Sequence, residues 1–265
     1  MKTKTIARRH HYLPQAYLAA FTGTGLKDGQ FNVLDVQSGH SFRTSPINVA
    51  AERDFNRVDI EGHSPDAIEN ALAPLEGNAV TAIRKVIETE EFPNDRDWNL
   101  IINLLCLIAV RNPKFRESFN SSREQVLHRI SDLLVSDKKI WDHYESKSDE
   151  SGENIDKNVS FENAKKFVEK RNYRIEFSAE GNLRVEFDAF SNILPILGQR
   201  TWSVLIAPHD GPEFICSDHP VTLAWKGGRS GPIGYGLRDT EVFFPLGRRV
   251  NPPKLSQNEF HQQFF

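Results

Sequence analysis

The stretch DWNLIINLLCLIAVRNP, residues 97–113, limits the possible folds of this chain more than any other. From Leu100 to Val110 its apolar residues occupy almost every position instead of one stripe. A helix that is apolar all round must be surrounded by other elements. The run is shorter than the roughly 20 residues that cross a bilayer, and it contains Asn103. It therefore predicts a central, buried helix. Asn94 can cap its start and Arg111-Asn112-Pro113 ends it, which sets the helix over 95–111. Arg111 is placed to bind that helix's free carbonyls.

Other helices are expected to cover it. Ser64-Pro65-Asp66 has the form of a helix start, and Ile68, Leu72, Leu75, Ala79, Ile83 and Val86 follow at three- and four-residue spacing, which predicts a helix over 65–89. A third helix is expected over 114–136, with Phe115, Phe119, Val126, Ile130 and Leu133 on one face. These three should pack on one another. SFENAKKFVEKRN, residues 160–172, reads as a short amphipathic helix capped by Ser160.

Strands are expected toward the two ends. QFNVLDVQSGHSFRTS, residues 30–45, reads as a hairpin turning at Ser38-Gly39. PINVAAERDFNRVDI is expected to be irregular with a brief extended end. YRIEFSAEGNLRVEF alternates and predicts a second hairpin that turns at Glu180-Gly181-Asn182. DAFSNILPILGQR is expected to be helical, with Pro195 bending or dividing it. TWSVLIAP, EFICS, TLAW and EVFFPL read as four short strands. This order is not an alternating βαβ series, so a doubly wound parallel sheet is disfavoured. The expectation is an α+β fold: a helical middle packed against a mostly antiparallel sheet formed from N- and C-terminal strands, where the two ends of the chain meet. A single domain over 1–265 is expected, with an exposed acidic loop, SKSDESGENIDKN, at about 146–158.

The charge balance narrows the partners. Thirty-three basic and 36 acidic side chains give a net charge of −3, which argues against nucleic-acid binding over the whole surface. A local basic patch, Lys2, Lys4, Arg8 and Arg9, is free of acids and could hold nucleic acid. Two cysteines build no disulfide framework. The N-terminus lacks the roughly 7–15-residue apolar segment of a signal peptide, so a soluble, cytoplasmic protein with no membrane partner is expected. No Walker-type, GxGxxG, HExxH, paired CxxC or GxSxG signature is present. The glycine-rich GGRSGPIGYG lies between expected strands and not before a helix, so no nucleotide cofactor is expected.

Three polar clusters could carry chemistry. In RRHHYLPQAYLAAF, residues 8–21, His10 and His11 are adjacent, so on an extended segment only one faces a given pocket. That imidazole could ligate a metal or act as a general base. The alternative is a polar lead-in anchored by Tyr12, Tyr17, Leu18 and Phe21. In Glu52-Arg53-Asp54-Phe55, a carboxylate could serve a metal, or the charges could form a structural salt-bridge cluster. In FICSDHPV, residues 214–221, Asp218 and His219 emerge at an expected strand end, or Asp218 makes an Asx-turn that accepts backbone N–H bonds.

These segments, RRHHYLPQAYLAAF, SFRTSPINVAAERDF, RNPKFR, FICSDHPV and FFPL, in this order and spacing, resemble a bacterial family known as domain of unknown function 4238. The resemblance covers nearly the whole chain, and His-His-Tyr-x-Pro-Gln and Ser-Asp-x-Pro are its most specific parts. It implies one domain and brings no established activity. The family pattern often has Asn where this chain has His219, and Tyr where it has Asn56. That weakens His219 as an essential ligand and favours Asp218.

Two function classes follow. The first is a metal-dependent phosphodiesterase or nuclease-like hydrolase. His10, His11, Glu52 and Asp218 would hold one divalent metal ion that activates water, and Arg53 or Arg111 would stabilise the transition state. The second is a non-catalytic binding or regulatory module with a protein partner, in which the polar motifs are structural ion networks.

Overall fold

The computed structural model describes residues 8–59, 61–151, 159–208 and 210–248. It has the expected α+β fold, a helical core packed against small antiparallel sheets from the N- and C-terminal parts of the chain. The chain gathers into two compact units, one of residues up to Phe115 together with those from Ala179 onward, the other Arg116–Ser178.

In the first unit α3, Asp95–Val110, is the centre. Ile101, Ile102 and every residue from Leu104 to Val110 are buried, as an apolar surface without a polar face requires. Asn94 caps it, its side chain accepting the Asp97 N–H at 3.0 Å. α2, Ala67–Thr89, and α7, Ala179–Gly198, pack on either side of α3. At the end of α3 the cap differs from expectation. The Arg111 side chain turns away, and Asn112 Nδ2 serves the carbonyls of Ile108 and Ala109 at 3.2 and 3.1 Å. Asn112 Oδ1 also accepts the Phe115 N–H at 2.8 Å. One buried side chain thus ends α3 and starts α4, Pro113–Leu134, whose Pro113 needs no donor partner.

Among the described residues, three two-stranded antiparallel sheets belong to this first unit. β1, Arg9–His11, pairs with β4, Ala51–Arg53, in the register Arg9↔Arg53, His10↔Glu52 and His11↔Ala51. β2, Phe31–Leu34, and β3, Ser41–Thr44, form the expected hairpin. The Asp35 carboxylate fixes its turn by accepting from Gln37 N–H at 2.9 Å and Ser38 Oγ at 2.6 Å. β5, Thr222–Trp225, pairs with β6, Thr240–Phe243. The two ends of the chain do meet, but through side chains and loops instead of one shared sheet. The Tyr17 hydroxyl donates to the Pro245 carbonyl at 2.6 Å, its ring stacks on Phe244 at 5.2 Å, and Arg248 N–H donates to Ala20 O at 3.2 Å.

Three other expectations are corrected. The hairpin expected at Glu180-Gly181-Asn182 is the first turn of α7. Leu183, Phe190, Ile193, Leu194 and Leu197 recur at helical spacing against the core, and that long period overrides a local turn signal. TWSVLIAP and EFICS form no strands. The helix near 114–136, α4, has no buried residue, so it is not a third core helix.

The second unit holds the rest of α4 with α5, Lys138–Ser151, and α6, Phe161–Lys170. α5 continues through Ser151, so the first part of the expected acidic loop is helical, and residues 152–158 lie outside the described residues. Ser160 caps α6 as expected, accepting the Asn163 N–H at 3.3 Å. Val135, Ala164 and Val168 form its small core with Trp141 and Phe161. Among the described residues no helix is long and apolar enough to cross a membrane.

Candidate functional site

Strand alternation decides the fate of the adjacent histidines. His10 points inward and is 1% exposed, Arg9 is exposed and His11 is half-buried. His10 Nδ1 accepts the backbone N–H of Asn56 at 2.9 Å. In the neutral ring the proton is then on Nε2, and the Nδ1 lone pair is occupied. His11 sits over the Ile47 carbonyl, 3.2 Å from Nε2, while the Gln15 amide lies 3.3 Å from Nδ1. Burial lowers the His11 pKa, with the Ile47 carbonyl and Glu69 opposing and Arg9 and His10 reinforcing that shift.

Beneath His10 lies a network that local sequence does not announce. Asn56, fully buried, donates from Nδ2 to Glu69 Oε2 at 2.7 Å. Its Oδ1 accepts from Arg111 Nη2 at 2.8 Å, and Arg111 is 4% exposed. Glu69 and Glu76 lie two turns apart on α2. Burial pushes the Glu76 carboxyl up to about 7; Arg111 and Lys27 pull it back, and Glu69 adds to the rise. A β-strand, a helix start and a helix end therefore supply one hydrogen-bonded chain, His10–Asn56–Arg111, with Glu69 on the same amide.

The Glu76 shift has a measurable sign. Its folded pKa lies above the unfolded value, so the protonated carboxyl's contribution to stability is complete below about 4.5 and is lost as pH rises through about 7. Glu76→Gln should remove that dependence. We expect little change in melting temperature at pH 5 and a gain on the order of 1–2 kcal/mol at pH 8, read by denaturant titration at both pH values. Equal effects at both would mean that Glu76 does not titrate in this range.

The remaining sequence candidates lie outside this network. Glu52 pairs with His10 in register but its side chain is exposed. Arg53 is exposed and lies 3.4 Å from Asp54. Asp54 also takes both Arg8 Nη2, at 2.6 Å, and Nε, at 3.2 Å, and Arg8 lowers its pKa. Arg9 is engaged too, donating to the Asn48 carbonyl at 2.5 Å. Of the basic N-terminal patch, Arg8 and Arg9 are thus engaged, and Lys2 and Lys4 lie outside the described residues.

Asp218 is exposed, and the expected Asx-turn is instead made by Ser217, whose Oγ accepts the His219 N–H at 3.2 Å. His219 is half-buried. Burial lowers its pKa, with Asp218 opposing and Lys114 reinforcing the shift. Glu52 and Asp218 share one influence, the charge each exerts on the Tyr12 hydroxyl. Burial first, then these two carboxylates, push it up to about 12. The structure thus separates the six candidates: His10 and Arg111 join through Asn56, while His11, Glu52, Arg53 and Asp218 lie outside that network. Among the described residues no group of three or more His, Cys, Asp or Glu could hold a metal ion.

Sequence reasoning missed Asn56, Glu69 and Glu76. The only local signal was the seven-residue spacing of the two glutamates on one helix face, which ordinarily marks a solvated side.

No curated protein and no solved structure matches the chain. A family model does match, over residues 9–251, and its span takes in the His-His-Tyr, Glu52, Arg111 and Asp218 segments. The chain belongs to the family described as protein of unknown function, DUF4238.

Proposed function

We propose that this chain is a binding or regulatory module whose inward polar motifs are structural. One observation carries the reading: His10, the most buried of the candidate ligands, gives its Nδ1 lone pair to a backbone N–H of its own chain. A metal at that nitrogen would have to displace the Asn56 N–H and leave it unpaired in the core. The arm at 8–14 is then a clasp. Its strand pairs with β4, His10 locks the turn after β4, and Tyr12 and Leu13 pack against the core. The competing reading is a hydrolase with a divalent metal at His10, His11, Glu52 and Asp218.

Two single variants separate the readings. His10→Ala should lower the unfolding free energy by about 1–3 kcal/mol, the cost of a buried N–H left without an acceptor. His11→Ala should cost less than about 1 kcal/mol, because its ring is half-buried and its partners reach water. Calorimetric titration of the full chain with Zn²⁺, Mn²⁺ and Mg²⁺, followed by incubation with DNA and RNA, should give no stoichiometric uptake and no cleavage. Uptake and cleavage that both disappear in His10→Ala, with folding intact, would establish the hydrolase.

A further inference from the structure

We infer that the outer face of the β1–β4 ribbon binds a phosphate group between Arg9 and Arg53. This inference rests on the binding-module reading and names a ligand class for it.

Register brings the two arginines together. Asp54 N–H donates to Arg8 O at 2.7 Å, and Tyr12 N–H donates to Ala50 O at 2.9 Å. Residues 8 and 54, and residues 12 and 50, are thus hydrogen-bonded pairs. The two kinds of pair alternate along an antiparallel ladder, so Arg9↔Arg53 is a non-hydrogen-bonded pair. Side chains stand closest at such a pair, and like charges directly opposite each other are destabilising. Both arginines are exposed, Arg53 with 71% of its side chain open to solvent. The ribbon therefore holds two guanidiniums where their repulsion is greatest and where an anion can reach both.

The neighbouring acids do not offset this pair. Arg9 donates to the neutral Asn48 carbonyl and is in no ion pair with a described residue. Arg53 Nε lies 3.4 Å from Asp54 Oδ2, but the same carboxylate already takes Arg8 Nη2 at 2.6 Å and Nε at 3.2 Å. Glu52 alternates to the other face of β4, and its charge is felt there by the Tyr12 hydroxyl. Asp59 is paired with Arg57 at 2.8 Å, and Glu69 accepts from Asn56 Nδ2 at 2.7 Å. Positive charge is in excess on the Arg9 and Arg53 face.

The pair suits a compact oxyanion. Each guanidinium presents a planar fork of donors that matches the oxygens of a phosphate. A phosphate monoester carries close to two negative charges at neutral pH, about one for each arginine. A long polyanion fits less well. The cationic face is one cross-strand pair wide, and the chain as a whole has a net charge of −3. His11 follows Arg9 by two positions, on the same face, and the Arg9 charge helps to lower its pKa. A phosphate bound at Arg9 opposes that influence, so the imidazole reports occupancy.

The test follows the His11 ring by NMR of the full chain as inorganic phosphate is added at constant ionic strength, with chloride as the reference salt. We expect a saturable change and an upward move of the His11 titration midpoint by roughly half a pH unit, the size of one nearby charge acting through water. The melting temperature should rise with phosphate, as for any ligand of the folded state. Arg9→Gln and Arg53→Gln should each weaken the response at least tenfold and keep the circular dichroism of the parent. In chloride, Arg53→Gln should melt at or above the parent, because a like-charged neighbour is gone. Glycerol 3-phosphate should compete with phosphate. Tighter binding than phosphate marks a phosphorylated small molecule as the ligand, and equal binding marks the free ion. A response that both variants retain, or that chloride reproduces, would overturn the site and leave the binding-module reading standing. A short single-stranded DNA bound at least tenfold more tightly through both arginines would overturn the choice of a compact ligand. Phosphate binding accompanied by Mn²⁺ uptake and phosphodiester cleavage, both lost in His10→Ala, would overturn the binding-module reading and leave the site standing.

Discussion

Arg111→Ala is expected to lower the unfolding free energy by about 3–5 kcal/mol, the range for removing one member of a buried charged network. The guanidinium is 4% exposed and donates to Asn56 Oδ1 at 2.8 Å. Its loss strips the Asn56 amide of a donor, withdraws the positive charge that holds down the Glu76 pKa, and leaves the space of a long side chain empty. Arg111→Lys should recover only part of this. An ammonium keeps the charge but lacks the planar fork that reaches several acceptors at once. In a chain of this size, a loss of this magnitude lowers the melting temperature by roughly 10 °C. Melting of both variants by tryptophan fluorescence at pH 7 checks the order: wild type, then lysine, then alanine. A lysine variant as stable as wild type would show that charge alone matters at this position.

Leu105→Asp should be more damaging. Leu105 has no exposed surface and sits in the middle of α3, between α2 and α7. The substitution removes a well-packed side chain and places a carboxylate where the described neighbours are apolar. The two costs together are expected to exceed 5 kcal/mol, an estimate of about the whole stability of many domains. We expect insoluble protein or a chain without a cooperative transition. A soluble variant that melts with wild type would contradict the central placement of α3.

How far the sequence reveals the fold depends on whether the signal is local. α3 is legible because eleven residues from Leu100 to Val110 leave no polar face to put toward water. Ser160 is legible as a cap for the same reason, since the side chain and its N–H partner are three residues apart. The α7 start is not. Glu180-Gly181-Asn182 has turn composition, and only the longer Leu183-to-Leu197 period, seated on α3, makes it helix. The strands at 9–11 and 51–53 are three residues each, too short for an alternating pattern to stand out, and they exist because they pair with each other across about forty residues of chain.

The site divides along the same line. Alternation alone tells that His10 and His11 face opposite ways. The partner of His10 cannot be read locally, because a backbone N–H carries no sequence signature. Asn56 and Glu69 are ordinary surface residues by type. They come together only when the turn after β4, the start of α2 and the end of α3 meet, with Asn56 buried and Glu69 half-buried, and Arg111 then supplies the donor that makes burying Asn56 tolerable. The sequence places Asp218 at an expected strand end. With no strand at EFICS it stands on a solvent-exposed turn.

The most direct test of the central claim is the state of the His10 ring, read by nitrogen NMR of the full chain labelled at histidine. The structural reading predicts the Nε2–H tautomer, an Nδ1 shift typical of a hydrogen-bond acceptor, a coupling from Nδ1 to the Asn56 amide, and no change when Zn²⁺ or Mn²⁺ is added. A metal-induced shift or broadening confined to His10, with loss of the Asn56 coupling, would show that this nitrogen is a ligand and that the network beneath it serves a metal centre.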